Sequence, residues 1–192
     1  SARMGSSEGN DRRIDNIEFN VSDIARSKAF YGEPLPTGLP VLDTRAHQGI
    51  VSYEPTELVI TAMDISICFA DFPTESIGET TRDYRQLGIG YANLGALLMA
   101  TGHGYDSDGG RALAAAITSL LTGASYKRSA ELAGIVGPYN GYARNADAHK
   151  RVMRKHQAAN DQIRTMHTMD KDIHAFATKA WDAVVKTGEK NG

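Results

Sequence analysis

The 192-residue chain carries one cysteine and six histidines, so its chemical options can be weighed residue by residue. A single thiol, Cys68, excludes an intramolecular disulfide, a CxxC redox pair and a zinc site built from several cysteines. Cys68 stands in the apolar run ISICFA. There a thiol is expected to be a small buried hydrophobe with a raised pKa rather than a nucleophile. His149 and His156 are seven residues apart, as are His167 and His174, so each pair can share one helical face. Two turns hold such rings about 10 Å apart, too far for one ion, whereas a metal pair on one helix prefers i, i+4. The histidines are therefore expected to be solvated or capping residues, and no metal ligands are assigned.

Acid–base and nucleophilic patterns are equally sparse. Asp147, Asp170, Asp172 and Glu189 read as scattered first-turn or surface acids, with no pair set apart as general acid and base. Ser125 and Ser129 lack the GxSxG elbow of a serine hydrolase. Arg144, Lys150, Arg151, Arg154 and Lys155 form a basic run interrupted by Asp147. Such a run could meet an acidic partner or a phosphate, but the expectation is a solvated helix face. The stretch LGIGYANLGALLMATGHGYDSDGG crowds together Gly88, Gly90, Gly95, Gly102, Gly104, Gly109 and Gly110. A dinucleotide fingerprint needs GxGxxG directly after a buried strand. Here Asn93 occupies the third glycine position and the polar DYRQL precedes Gly88. The glycines are expected to serve close helix packing and helix ends. On this reading no catalytic residue is assigned and the cofactor-binding residues are unknown.

The elements that would carry these residues are mostly helices. A hydrophobic content of 41%, a charged content of 23% and a net charge of -2 describe an ordinary globular chain, without a pull toward nucleic acid or anionic membrane. No apolar run reaches the roughly 20 residues that span a bilayer. With one cysteine, the expected setting is reducing and cytoplasmic. Residues 1–13 read as a tag and disordered lead around Met4. Residues 14–32 read as a strand and a short helix, and residues 33–56 as a connector rich in Pro and Gly, with a short strand near 49–53. Beyond it, residues 57–70 are apolar nearly all round and predict a buried helix. Thr74 should cap a helix over 74–87, and another should fill 90–101 until Gly102 and Gly104 stop it. Asp106 or Ser107 should cap a long helix closed by Gly137 and Pro138. The stretch PYNGYARN should be a loop before two last helices, capped by Asn145 and Asp170. The fold class is thus mainly α, about six packed helices with a small N-terminal βα unit. Its core is expected around Leu97, Leu98, Ile117, Leu120, Leu121, Val152 and Trp181.

Two family resemblances add to this reading. ELVITAMDISICFADFPTESIGETTRDYRQLGIGYANLGALLMATGHGYDSDGG, with SYKRSAELAGIVGPYNGYARNADAHKRVMRKHQAAND and FATKAWDAVVKTGEKNG, resembles an internal segment of adenosylcobalamin-dependent (class II) ribonucleotide reductases over residues 57–192. The resemblance implies a helical part of that family's α/β barrel, placed after the loop with the radical cysteine and before a substrate phosphate loop. It also implies that the radical and reducing cysteines lie outside this chain, because Cys68 matches none of them. Nucleotide reduction by the chain alone is then not expected, nor is a cofactor for it alone, adenosylcobalamin belonging to the intact family. Separately, IDNIEFNVSDIARSKAFYG resembles the opening strand and helix of glyoxalase/bleomycin-resistance (vicinal oxygen chelate) proteins. Where metal-binding members carry a histidine, Asn16 stands here. Together the two resemblances imply a chimeric chain with a junction near Thr56. Helix faces that pack on strands in a barrel need other cover, which points to a homo-oligomer or a complementary reductase chain as partner.

Overall fold

The computed structural model describes residues 53–192, and their regular structure is entirely helical. Six helices follow one another: α1 (Tyr53–Ile67), α2 (Glu75–Tyr84), α3 (Leu94–Ala100), α4 (Asp108–Val136), α5 (Tyr142–Asp161) and α6 (Thr168–Asn191). The expected βα unit at 14–32, most of the connector and Asn16 lie outside the described residues.

The core is the seam between α4 and α6. Along α4, Leu113, Ala116, Ile117, Leu120 and Ala124 recur at helical spacing, and all are buried. They meet Ile173, Ala177, Ala180, Trp181 and Val184 of α6, also buried. The helices approach closely at Gly123, where an added Cβ would stand 3.0 Å from the Ala180 methyl and 3.2 Å from Trp181 Nε1. Glycine is needed there because any side chain would push the helices apart. Leu98 of α3 closes one end of the seam, with Leu94 and Leu97 packed around it. Met153 of α5 packs against Trp181 and Val184 at the other. A half-buried polar knot ties three helices beside this core. Ser119 Oγ donates to Asn160 Oδ1 at 2.7 Å, Asn160 Nδ2 donates to Thr178 Oγ1 at 3.0 Å, and Trp181 Nε1 donates to Ser119 Oγ at 3.0 Å.

Helix ends follow local chemistry where a short polar side chain or a glycine controls them. Thr74 Oγ1 accepts from Ile77 N at 3.3 Å to start α2, and Ser107 Oγ accepts from Gly110 N at 3.0 Å to start α4. Gly102, at φ 76°, lets His103 N reach Leu98 O (2.8 Å) and Gly102 N reach Met99 O (3.2 Å), the Schellman stop expected after α3. α4 ends at Gly137 before Pro138.

Several expectations are corrected. α1 begins at Tyr53, inside the expected connector, because Pro55 falls in its first turn, where a missing N–H costs nothing. It is not buried all round: Ile60 and Ile67 are buried, whereas Leu58, Val59, Ile65 and Phe69 are exposed. Its apolar residues lie on two faces and only one meets α4. Cys68 follows the last turn and is exposed, not buried. α2 stops at Tyr84, short of residue 87, because Arg85 turns left-handed at φ 48°. α3 begins at Leu94 rather than residue 90, after Asn93 at φ 68°. Gly88 and Gly90 therefore precede the helix, and no atom stands near the Cβ that either lacks, so they are not packing glycines. α5 starts at Tyr142, inside the expected loop. Asn145 is then no cap but a first-turn residue whose Nδ2 donates to Gly141 O at 2.8 Å. Val152 is exposed at 44%, and its neighbour Met153 takes the core position. His167, not Asp170, is the N-cap of α6. Asp170 is three residues on, 1% exposed, and its carboxylate accepts from Met166 N and His167 N, both at 2.7 Å.

Candidate functional site

The best-formed concavity is a cleft of about 660 Å³ between α1, the stretch after α2, the middle of α5 and the later turns of α4 and α6. Ile60, Leu121, Met153 and Val184 give it an apolar floor. Its polar rim gathers residues from distant parts of the sequence, among them Gly88, Ser125, Ser129, His149, Lys150, Arg154 and Glu189.

Most of those polar groups already have partners. Arg85, carried outward by its left-handed backbone, donates through Nε (3.0 Å) and Nη2 (2.8 Å) to Asp64 Oδ1, and through Nη2 to Asp64 O at 2.7 Å. The same nitrogen stands 3.6 Å from Cys68 Sγ. Burial opposes the charge of Arg85, but these hydrogen bonds outweigh it and raise the guanidinium above its ordinary value. Arg154 pairs with Glu189 across α5 and α6. Beside them is an aromatic cluster. Tyr139 lies edge-on to Tyr142 with ring centres 5.5 Å apart, and His149 is 5.5 Å from Tyr142. The Tyr139 hydroxyl and His149 Nδ1 are 3.2 Å apart. Burial lowers His149 below the usual imidazole range and raises the Tyr139 phenol. Both shifts favour the neutral forms, in which the two groups can share the hydrogen bond. Tyr142 Oη is buried without a hydrogen-bond partner, the one such side-chain atom among the described residues.

The four histidines singled out by spacing have separate surroundings. His149 belongs to the tyrosine cluster; His156 stacks on Trp181 at 5.6 Å; His174 Nε2 lies 2.8 Å from Asn160 O; and His167 caps α6. The ring of His167 lies 4.8 Å from that of His103, over Gly109 at the start of α4. That contact spans 64 residues of sequence, and no local spacing announces it. An added Cβ at Gly109 would meet both rings at 2.9 Å, so this glycine, read only as a helix end, makes room for them. No three His, Cys, Asp or Glu side chains converge as metal ligands among the described residues. Of the basic run, Arg144 lies over the Tyr84 ring and donates to its hydroxyl, while Arg151 and Lys155 are exposed on α5. Asp147 and Asp172 are exposed, as expected of surface acids. No helix of the described residues is long and apolar enough to cross a membrane.

At the cleft Arg85 is committed to Asp64 and Arg154 to Glu189, and the ring that carries the unpartnered Tyr142 hydroxyl packs against Tyr139 and His149. What the arrangement does well is hold helices together.

Comparison with known proteins gives that scaffold a family. Residues 46–192 match the ribonucleotide reductase barrel domain, starting earlier than the resemblance read from residue 57. The chain is 75% identical over 135 residues to a vitamin B12-dependent ribonucleotide reductase of Streptantibioticus cattleyicolor, covering 70% of this chain and 22% of that protein. A vitamin B12-dependent ribonucleotide reductase of Agrobacterium fabrum is 42% identical over 158 residues, covering 74% of this chain and 12% of that protein. The chain therefore spans about a fifth or less of the length of these relatives. A different similarity, 63% over 38 residues, is to the glycolate oxidase subunit GlcE of Escherichia coli and covers 20% of this chain and 10% of that protein. Sequence reading had not raised that class. With the family match covering most of its length, the chain belongs to the ribonucleotide reductase barrel-domain family.

Proposed function

We propose that this chain is a noncatalytic helical segment of a vitamin B12-dependent ribonucleotide reductase, contributing packing surface to a barrel whose reacting groups come from elsewhere. The observation that carries the reading is the pairing of 75% identity to such a reductase with a sequence that holds one thiol. Radical reduction of a ribonucleotide needs a radical thiol and two reducing thiols. Cys68 is alone, exposed, and beside the guanidinium of Arg85.

The expected partner is a complementary reductase chain, or a second copy of this one, in the cytoplasm. Adenosylcobalamin belongs to the assembled enzyme, where it supplies the radical. The test is to incubate the purified chain with adenosylcobalamin, ribonucleotide and a dithiol. Neither a change in the cobalamin spectrum nor deoxyribonucleotide is expected until a reductase lacking this segment is added. Nucleotide reduction by the chain alone would overturn the reading.

A composite origin is a second reading, favoured by the separate similarity to a glycolate oxidase subunit. Sequencing the genomic DNA across the codons for residues 40–60 tests it: a junction absent from the genome supports a composite, and an uninterrupted reductase gene refutes it. The glyoxalase-like opening calls for a metal titration comparing the chain with its Asn16→His variant, and tight binding by the unaltered chain would revive it.

A further inference from the structure

α1 is attached to its neighbours largely through polar side chains. Its buried apolar contribution is Ile60 and Ile67, whereas Leu58 and Ile65 are exposed on its other side. Much of its inner face is polar. Glu57 Oε1 pairs with Lys127 Nζ at 2.7 Å, and Lys127 pairs in turn with Glu131 at 2.8 Å. Arg128 Nε donates to Thr61 Oγ1 at 2.9 Å and its Nη1 meets Glu131 at 3.2 Å. One turn further on, Asp64 receives the double contact from Arg85. The three α1 anchors, Glu57, Thr61 and Asp64, fall at i, i+4 and i+7, so they form one stripe along the helix. α1 also forms one wall of the cleft through Ile60 and Asp64.

We propose that α1 is an ionically latched strap, which lifts from α4 when its charges are screened and opens the cleft while the α4–α6 core stays folded. Each latch is partly exposed, with side-chain accessibilities of 22–32% for the ion-paired groups. Salt can therefore reach them. Contacts of this kind each shift a docking equilibrium a few-fold, so the stripe together is worth about tenfold. Buried apolar area between α4 and α6 has no such sensitivity to charge screening. The strap follows from these contacts whether or not the chain serves a reductase.

Hydrogen exchange of the full chain, followed by mass spectrometry, tests it at about 0.05 M and about 1 M NaCl, between which the screening length falls to about 3 Å. The α1 amides should lose protection about tenfold at high salt while those of α4 and α6 keep theirs. The double variant Glu57→Gln with Asp64→Asn should show the looser α1 at low salt and lose the salt response. If α1 protection ignores both salt and the variant, or falls in step with α4 and α6, the proposal is overturned. Loss of α4 and α6 protection in the variant itself would also count against it, because the strap would then be part of the core.

Discussion

The two seams on α4 are built by opposite means. Toward α6, α4 presents alanines, a glycine and leucines that exclude water, and the helices come close enough for Gly123 to touch Ala180. Toward α1 it presents Lys127, paired with Glu57, and Arg128, which donates to Thr61; Glu131 braces both from within α4, and all three remain partly wet. The first seam depends on shape and tolerates no added volume. The second depends on ionisation and tolerates change at the cost of docking strength. One helix thus serves both as core and as a mooring for a less tightly held neighbour.

Changes to the apolar seam should have the largest effect. Trp181→Ala removes the largest buried side chain and the donor to Ser119 Oγ, and should cost about 3–5 kcal/mol in urea unfolding followed by circular dichroism. Gly123→Val should cost about 1–3 kcal/mol by overpacking against Ala180 and Trp181. A loss much below 1 kcal/mol would mean that the seam can open. Asp170→Ala should cost about 1–3 kcal/mol, because it leaves the Met166 and His167 amides without their acceptor.

The polar seam should respond less, and to pH. Burial raises Glu131, but hydrogen bonds to Lys127 and Arg128 outweigh it, so its folded pKa is lowered. A lowered carboxylate stabilises above its unfolded value of about 4.3 and loses that contribution as pH falls through the folded value. Lys127 is opposed by burial and raised by its hydrogen bonds to Glu131 and Glu57. Its contribution is intact below about pH 10.4 and lost as pH rises through the raised value. The contribution of this pair to stability, read by urea unfolding, should therefore be flat between these limits and fall away below about pH 4. Glu131→Gln should remove that part of the acid response. Smallest of all, Leu58→Lys on the exposed face of α1 should change stability by about 0.5 kcal/mol or less. A larger loss would show that this face is covered in solution.

Legibility in the sequence followed the locality of the cause. Ser107, Thr74, Gly102 and Gly137 act within a few residues of themselves, so the ends they control could be read directly. The α4–α6 stripe was visible as periodicity. Which face of α1 is covered was not, because its apolar residues surround the helix and only the position of α4 selects among them. The same holds for Cys68: an apolar neighbourhood in sequence became an exposed position because the helix ends at Ile67. His103 with His167 and Arg85 with Asp64 are tertiary meetings without a sequence signature. The two expected caps of α5 and α6 lie about one turn from the true ones, since Asn145 and Asp170 do bind backbone, from inside the first turn.

The exposure of Cys68 has a practical sequel. The sequence contains one cysteine and one tryptophan, Cys68 just past the strap's last turn and Trp181 within the core. A thiol-reactive acceptor dye would attach at a single point, and the indole is its natural donor. The protein thus carries its own optical ruler from strap to core, with no engineered label site required.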